Sequence, residues 1–313
     1  MKKTFFTLLL AFVGLAAFAQ EQAIYSQYQL FPVLVNPGYT GFEGEHQFLL
    51  NARNSWSGFP GAPQSYTAMY HGPVGNNLAL GGGVFTEKIG DQNLFRLQLN
   101  YAFRIQSKNE KFQAGIGLTT EFLRRGINND LLDDPTVNPN DPTLEDLANG
   151  QQIFDASVGV HALFDKKFFL SMALPNTIRT RLDDVPVQDP QNQGGLFDHY
   201  IFQLGFIADV PAQGFKIIPS LALRNVRNVP YQVDLNLQGR FLEEKLITGF
   251  TYRPGSANGS LAFLIGSKFN QVQAFYSYDL NFGDFQQYNG GSHEISFALS
   301  FARKERIEIP NSY

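Results

Sequence analysis

The feature that most constrains this chain is a strict alternation of apolar and polar residues along extended segments. Between Phe95 and Ile105 every second residue is apolar, and the same pattern returns in 231–238 and 294–301. Successive side chains of a strand point to opposite faces, so each segment predicts a strand with one apolar face. Strands of soluble sandwiches are usually about five or six residues long, whereas strands that cross an outer membrane need about ten. The pattern therefore favours a membrane barrel over a soluble sandwich.

The number of such segments gives a second constraint on the fold. A single-chain barrel with both termini on the same side of the outer membrane needs an even number of strands. The alternation predicts fourteen strands, near residues 45–54, 64–73, 77–87, 92–106, 110–124, 151–164, 167–174, 198–210, 214–225, 230–239, 245–253, 259–268, 271–281 and 292–303.

The links between these strands differ in length according to their order. Links after even-numbered strands are short, whereas several links after odd-numbered strands are long, notably 125–150 and 175–197. Outer-membrane barrels have short periplasmic turns and long extracellular loops. We therefore expect an all-β protein: a single transmembrane antiparallel β-barrel of about 14 strands with this asymmetry.

The N-terminus is typical of a secretory signal peptide. Lys2 and Lys3 precede an apolar stretch, and Ala17 and Ala19 provide the small residues that signal peptidase requires. We expect cleavage before Gln20. The domain prediction is a signal peptide over 1–19, a periplasmic segment over 20–44, a barrel over 45–303 and a periplasmic tail over 304–313.

Composition excludes several classes of protein. The chain has no cysteine, which rules out disulfides, thiolate metal sites and a cysteine nucleophile. Its formal net charge is −4, so nothing basic indicates a nucleic-acid partner. The five histidines lack metal-ligand spacing, and the chain contains no GxSxG nucleophile motif. We therefore expect no cofactor, no metal and no enzymatic activity.

Opposite the apolar set, the strands carry charged residues that the alternation places in the lumen. Both signs are interspersed, which fits either a network of ion pairs across the lumen or a water-filled pore. The principal lumen-facing candidates are Arg96, Arg104, Asp155, Arg224, Asp234 and Glu294, and the wider set adds Arg53, Glu121, His161, Lys216, Arg253, Lys268 and Asp279.

The predicted loop 126–150 is acidic and contains Asp133, Asp134 and Asp141 but no lysine or arginine. Clustered carboxylates can bind Ca²⁺. Their spacing matches no EF-hand, so a solvated acidic loop is the favoured interpretation.

Three segments resemble the PorP/SprF family of type IX secretion system membrane proteins, which occur in outer membranes of gliding and secreting Bacteroidetes. The first is Tyr25–Pro32 followed by Asn36–Gly41, which is similar to the family's opening with its NPAYAG-type turn. The others are 56–64, similar to the W-x-G-x-P-G-A-P-x loop, and 288–295, similar to the Y-N-G-G-S-H-E-I entry into the last strand. Gly38 and Thr40 stand where the family usually has alanine.

The resemblance implies an outer-membrane component of type IX export. Such a protein would be a scaffold for the secretion or surface anchoring of cargo with a C-terminal sorting domain, such as a gliding adhesin. Its partners would be that cargo, the secretion machinery and outer-membrane lipid. A porin or small-solute channel remains the alternative. The candidate partner-binding residues on the outer loops are Trp56, Phe59, Pro60, Asp133, Asp134, Asp141, Tyr288 and His293.

Overall fold

A computed structural model describes residues 25–128, 131, 141–182, 199–210, 214–225, 231–254, 259–282 and 284–302. Almost all regular structure in these residues is strand. The strands are β1 (Glu45–Asn54), β2 (Gln64–Pro73), β3 (Leu78–Ile89), β4 (Gln92–Gln106), β5 (Phe112–Ile127), β6 (Gln151–Phe164), β7 (Phe168–Arg181), β8 (Tyr200–Phe206), β9 (Ala208–Val210), β10 (Phe215–Asn225), β11 (Gln232–Phe241), β12 (Leu246–Arg253), β13 (Ser260–Phe269), β14 (Val272–Asn281) and β15 (Ser292–Ala302).

The strands form one closed antiparallel barrel. Each strand pairs with its neighbours in the chain, β1 pairs with β15, and pairing of β10 with β11 completes the ring. β8 and β9 both pair with β10 on either side of Ile207, so they form one interrupted strand of a 14-strand barrel. This confirms the predicted fold class. The predicted signal peptide 1–19 and tail 304–313 lie outside the described residues.

The two ends of the barrel differ. The turn end has the short links 74–77, 107–111, 165–167, 242–245 and 270–271, and the loop end has the longer links 55–63, 128–150, 182–199 and 282–291. Two details differ from the sequence prediction. Only Gly90 and Asp91 join β3 to β4 at the loop end. β7 continues to Arg181, and it does so past Pro175 because a register shift between Ala156 and Val158 of β6 lets the strand pairing resume.

The outer surface of the barrel is apolar, the reverse of a soluble protein. Leu97, Leu99 and Phe103 on β4 are 43%, 47% and 51% exposed, whereas Arg96 and Asn100 on the opposite face of the strand are buried. The same inversion holds on β15, where Ile295 and Phe297 are exposed and Glu294 is buried. An outward apolar surface with polar residues inside is the arrangement of a barrel in lipid.

Residues Tyr25–Gly44 lie inside the barrel, and we call this segment the plug. It consists of three short 3-10 turns, Gln27–Gln29, Pro32–Leu34 and Pro37–Tyr39. Tyr25, Tyr28, Phe31 and Val33 are each at most 5% exposed. The expectation of a periplasmic segment over 20–44 is therefore wrong for residues 25–44. The reason is that the plug provides the apolar and hydrogen-bonding groups that the lumen wall needs as partners.

The helical structure of the described residues is slight. Apart from single 3-10 turns, an α-helix covers Pro142–Asn149 in the link between β5 and β6. Within the described ranges we find no helix with the length and apolar character needed to span a bilayer.

The face assignment on β4 gives a direct test. Leu99→Arg places a charge on the lipid-facing surface and is expected to destabilise the barrel by about 2–4 kcal/mol if the site lies near the bilayer midplane. Gln98→Arg, one residue away and on the opposite face, is the matched control and is expected to have a much smaller effect. Unfolding in urea from lipid vesicles measures both, and equal losses would contradict the assignment.

Candidate functional site: the lumen and its plug

The plug runs along the lumen from the loop end to the turn end. The hydroxyl of its first residue, Tyr25, shares a hydrogen bond of 2.9 Å with the hydroxyl of Thr67, near the loop end of β2. Near the opposite end, the Gly41 amide donates to Nδ1 of His71, close to the turn end of β2. The chain then enters β1 at Glu45. The plug thus follows the barrel axis, and β1 runs back alongside it.

Six charged side chains of the wall form a continuous chain of ion pairs at the loop end of the lumen. Charges alternate along it, with N–O distances of 2.8, 2.9, 3.2, 3.3 and 2.6 Å between successive members. All six side chains are at most 8% exposed. In order, the members are Glu294, Arg53, Asp279, Arg253, Asp234 and Arg224. We call this set the charge chain.

The charge chain balances its own charge and links strands that are adjacent or next but one around the barrel. Its three arginines and three carboxylates come from β1, β10, β11, β12, β14 and β15. Buried ions are costly unless each one is paired and hydrogen-bonded. Each carboxylate contacts at least one arginine, so every charge of the set has an opposite charge beside it within the wall.

The first residues of the plug bind this charge chain through uncharged groups. The Ser26 amide donates to Glu294 Oε2 at 2.7 Å, and its hydroxyl donates to Asp279 Oδ2 at 2.5 Å. The Tyr28 hydroxyl donates to Asp234 Oδ2 at 2.9 Å, and the Arg224 guanidinium lies 5.0 Å from the centre of the Tyr28 ring. These contacts fill hydrogen-bonding positions that the ion pairs leave open.

The middle of the plug packs against an apolar part of the wall. Phe31 and Val33 form a buried cluster with wall residues that include Leu49, Met69 and Phe275. The rings of Phe31 and Phe275 are 5.6 Å apart in an edge-to-face arrangement. Burial of large side chains of this kind stabilises by about 1.5–3 kcal/mol each. The lumen therefore has its own hydrophobic core, which the plug completes.

Further toward the turn end, the plug backbone rests on glycines of the wall. Asn36 Nδ2 donates to the Val160 carbonyl at 2.9 Å, and its Oδ1 accepts from the Gly38 amide. A Cβ on Gly117 of β5 would lie 2.2 Å from the Pro37 carbonyl oxygen. One on Gly159 of β6 would lie 2.0 Å from Asn36 Oδ1. Only glycine at these wall positions leaves room for the Asn36–Gly38 turn.

Aromatic rings and one arginine close the turn end of the plug. The ring of His161 lies 4.9 Å from the Tyr39 ring and 4.6 Å from the Phe42 ring. Arg104 donates from Nη1 to the Phe42 carbonyl at 3.1 Å. The plug is thus held at both ends and along its length.

The remaining lumen-facing candidates occupy two places. Arg96 forms an ion pair with Glu121 at 3.4 Å, and its guanidinium lies over the Phe85 ring. Asp155 is fully buried, and its Oδ1 accepts a hydrogen bond from the Ala156 amide. The structure therefore places all six principal candidates on the inside of the wall, five of them buried and Arg104 half-buried.

Lys216 and Lys268 lie at the turn end, beside Glu244 of the β11–β12 turn. Burial alone would raise the pKa of the Glu244 carboxyl, but Arg240, Lys268 and Lys216 hold that pKa below its usual range. The Arg240 contact is the shortest, at 3.0 Å. These two lysines belong to a surface cluster rather than to the charge chain.

The candidate partner-binding residues cluster only in part. Two backbone hydrogen bonds join Ser57 to the 290–291 backbone, which brings the loops that carry Trp56, Phe59, Pro60 and Tyr288 together at the loop end. Phe59 is 39% and Tyr288 63% exposed. Nδ1 of His293 shares a hydrogen bond of 2.7 Å with the Tyr276 hydroxyl on the barrel wall. Asp141 lies before the helix in the β5–β6 link, and Asp133 and Asp134 lie outside the described residues.

Sequence reasoning missed the plug as a lumen element. One signal for it was available, because 25–42 is free of charge yet rich in aromatic and aliphatic residues. A solvated periplasmic segment has no reason to carry that composition. Among the described residues, no group of three or more His, Asp or Glu side chains could hold a metal ion. The plug is held in the lumen by hydrogen bonds and ring packing.

Fold and lumen together define a membrane β-barrel that is filled by its own N-terminal segment. The sequence profile described as "Type IX secretion system membrane protein PorP/SprF" matches residues 17–299. The chain belongs to this family, and its place is the outer membrane. No curated protein sequence matches significantly.

The comparison with solved structures finds proteins of low sequence identity to this chain. The CymD monoaromatic hydrocarbon channel has a TM-score of 0.52 at 12% identity, over 93% of this chain and 96% of that chain. Omp33 of Acinetobacter baumannii gives 0.45 at 8% identity, over 84% of this chain and 100% of that chain. The Pseudomonas putida toluene transporter TodX gives 0.43 at 9% identity, over 91% and 95%. At such identities the CymD likeness concerns the fold alone.

The burial of the charge chain predicts that breaking one of its ion pairs costs much more unfolding free energy than breaking an exposed ion pair. Arg53→Met leaves Asp279 and Glu294 buried with less compensation, and the expected cost is about 3–5 kcal/mol of unfolding free energy. Lys166→Met breaks the exposed pair with Glu110 and is expected to cost less than about 1 kcal/mol. Urea unfolding in lipid vesicles compares the two. Similar small losses would show that the charge chain does not hold the wall together.

Proposed function

We propose that this protein is a docking scaffold of type IX secretion rather than an open channel. The observation that carries the proposal is the occupied lumen. Groups from Ser26 to Phe42 contact the wall from the charge chain to the turn end. A barrel that uses its interior to hold its own chain leaves its ends for partner recognition. The protein is accordingly a binding component without enzymatic activity or cofactor.

The loop end supplies the docking surface for cargo in this proposal. Phe59 and Tyr288 project there from loops that are fixed to each other by the Ser57 backbone hydrogen bonds. Binding residues are commonly placed on loops above a rigid frame, and aromatic anchors dominate interface energies. The cargo is a secreted protein with a C-terminal sorting domain, such as a gliding adhesin. With the loop end outside the cell, the acidic β5–β6 link attracts basic patches on that cargo.

The alternative function is a small-solute channel. It requires the plug to leave the lumen, because its side chains contact the wall on several sides. The CymD likeness does not favour it, since that likeness extends to the fold only. Conductance of the full-length protein in planar bilayers distinguishes the two functions. A scaffold is expected to be silent, and a steady ohmic conductance would favour the channel.

The docking surface is tested by affinity purification of the protein from native membranes, followed by identification of the bound chains. We expect a cargo with a C-terminal sorting domain to co-purify with the native protein. The double variant Phe59→Ala/Tyr288→Ala is expected to retain about one tenth or less of that cargo, because two anchors are truncated. The matched control is Phe297→Ala, which removes a ring of similar exposure from the lipid-facing wall and is expected to retain the cargo.

Two outcomes would contradict this proposal. If no cargo co-purifies with the native protein, the scaffold function is wrong. If cargo co-purifies equally with the native protein and the double variant, the loop-end aromatic residues are not the docking surface.

A further inference from the structure

The plug is uncharged where it meets the lumen. From 25 to 44 its one charged residue is Glu43, which is exposed at the turn end. The charge chain, by contrast, pairs all of its charges within the wall. When an uncharged segment leaves such a site, no buried ion loses its charge partner. Departure of the plug therefore leaves every buried ion of the charge chain next to its oppositely charged partner.

The plug is bound to the wall as a ligand is bound, not as a strand is. Its backbone hydrogen bonds close its own turns, as in Leu30 to Gln27 and Thr40 to Pro37. Each hydrogen bond between plug and wall uses a side chain of the plug, of the wall or of both. Examples are Tyr28 with Asp234 and Asn36 with Ser171. The strand pairing of the barrel is complete without it.

The wall is nevertheless shaped for this segment. Gly115, Gly117 and Gly159 are adjacent on β5 and β6, and a Cβ on any of them would come within 2.2 Å of plug atoms. At the loop end, Asp234 and Asn236 converge on a single phenol oxygen, that of Tyr28. Three glycines that receive a turn, and polar groups that receive a phenol, are the features of a specific binding site.

We propose that the lumen is a binding site for an uncharged, turn-forming peptide segment, and that the plug is its exchangeable occupant. The features that the site recognises are a Tyr hydroxyl at the charge chain and an Asn-Pro-Gly turn on the wall glycines. The covalent link at Gly44 keeps the local concentration of the plug high, so the site is filled in the native chain. This property is independent of the proposed docking of cargo at the loop end.

The experiment uses the full-length protein with a protease cleavage sequence inserted after the exposed Glu43. The protein is folded into nanodiscs first and cut afterwards, so the plug becomes a separate peptide within a complete barrel. A fluorescent synthetic peptide of residues 20–43 is then added. We expect the labelled peptide to replace the cut one and bind in a 1:1 ratio. A peptide with Asn36→Ala is expected to compete about tenfold more weakly, because its contacts with Val160 and Ser171 are lost.

A second arm needs no insertion. In the full-length variant Asn36→Ala/Gly38→Val, the tethered plug is weakened, since a Cβ at residue 38 would lie 2.8 Å from the Gly115 carbonyl oxygen. This variant is expected to bind the labelled native peptide, whereas the native chain binds it at least tenfold less. Adding Gly117→Val to the same variant is expected to abolish peptide binding. The control for a wall glycine is Gly249→Ala, where the nearest atoms belong to the flexible Leu264 side chain.

The proposal is overturned if the cut plug stays and no labelled peptide enters, because the plug is then a permanent part of the core. It is also overturned if the cut plug leaves and labelled peptide does not bind, because the lumen is then not a peptide site. Binding that is equal for native and Asn36→Ala peptides would show adsorption without recognition. Each of these results is independent of whether cargo docks at the loops.

Discussion

The architecture depends on six buried charges that must find their partners inside a lumen. Arginines and carboxylates on six strands alternate from Glu294 to Arg224, and each ion is paired within 3.3 Å. An ion taken out of water is tolerated only when such partners are in place. The charge chain therefore links the inner faces of β10, β11, β12, β14, β15 and β1 along one side of the lumen. The plug completes it by adding neutral donors, as Ser26 does to Glu294 and Asp279.

The barrel wall thus contacts lipid on its outer face and the plug on its inner face. Its outer face replaces water with lipid, which needs only apolar side chains such as Leu97 and Phe297. Its inner face replaces water with the chain's own N-terminal segment, which needs polar partners at the loop end and packing around Phe31 in the middle. Parts of three segments that resemble the PorP/SprF family, 25–32, 56–64 and 288–295, meet at the loop end, where Ser26 contacts Glu294 and Ser57 contacts Gly290. Plug, closing strand and first loop therefore form one structural unit.

The strands could be predicted from the sequence, but the contacts that position the plug in the lumen could not. A period of two fixes which side chains share a face, so the inward position of Glu294 and the outward position of Leu99 follow from the alternation alone. The plug has no period, and its position depends on contacts between residues far apart in the chain, such as Asn36 with Val160. The same limitation explains β7, whose continuation past Pro175 depends on a register shift in its pairing with β6. The loop-end pairing of Ser57 with 290–291 likewise joins two distant segments.

The most direct test of the account is the chemical accessibility of one lumen position. Ser277 is 1% exposed and its hydroxyl accepts a hydrogen bond from Gln27 of the plug. Because the chain has no cysteine, Ser277→Cys gives a single thiol, and Lys108→Cys at the turn end provides an exposed control. We expect a water-soluble thiol reagent to modify the control rapidly in the folded protein, and to modify position 277 far more slowly until the protein is unfolded. Equal rates at both positions in the folded protein would contradict a lumen filled by the plug.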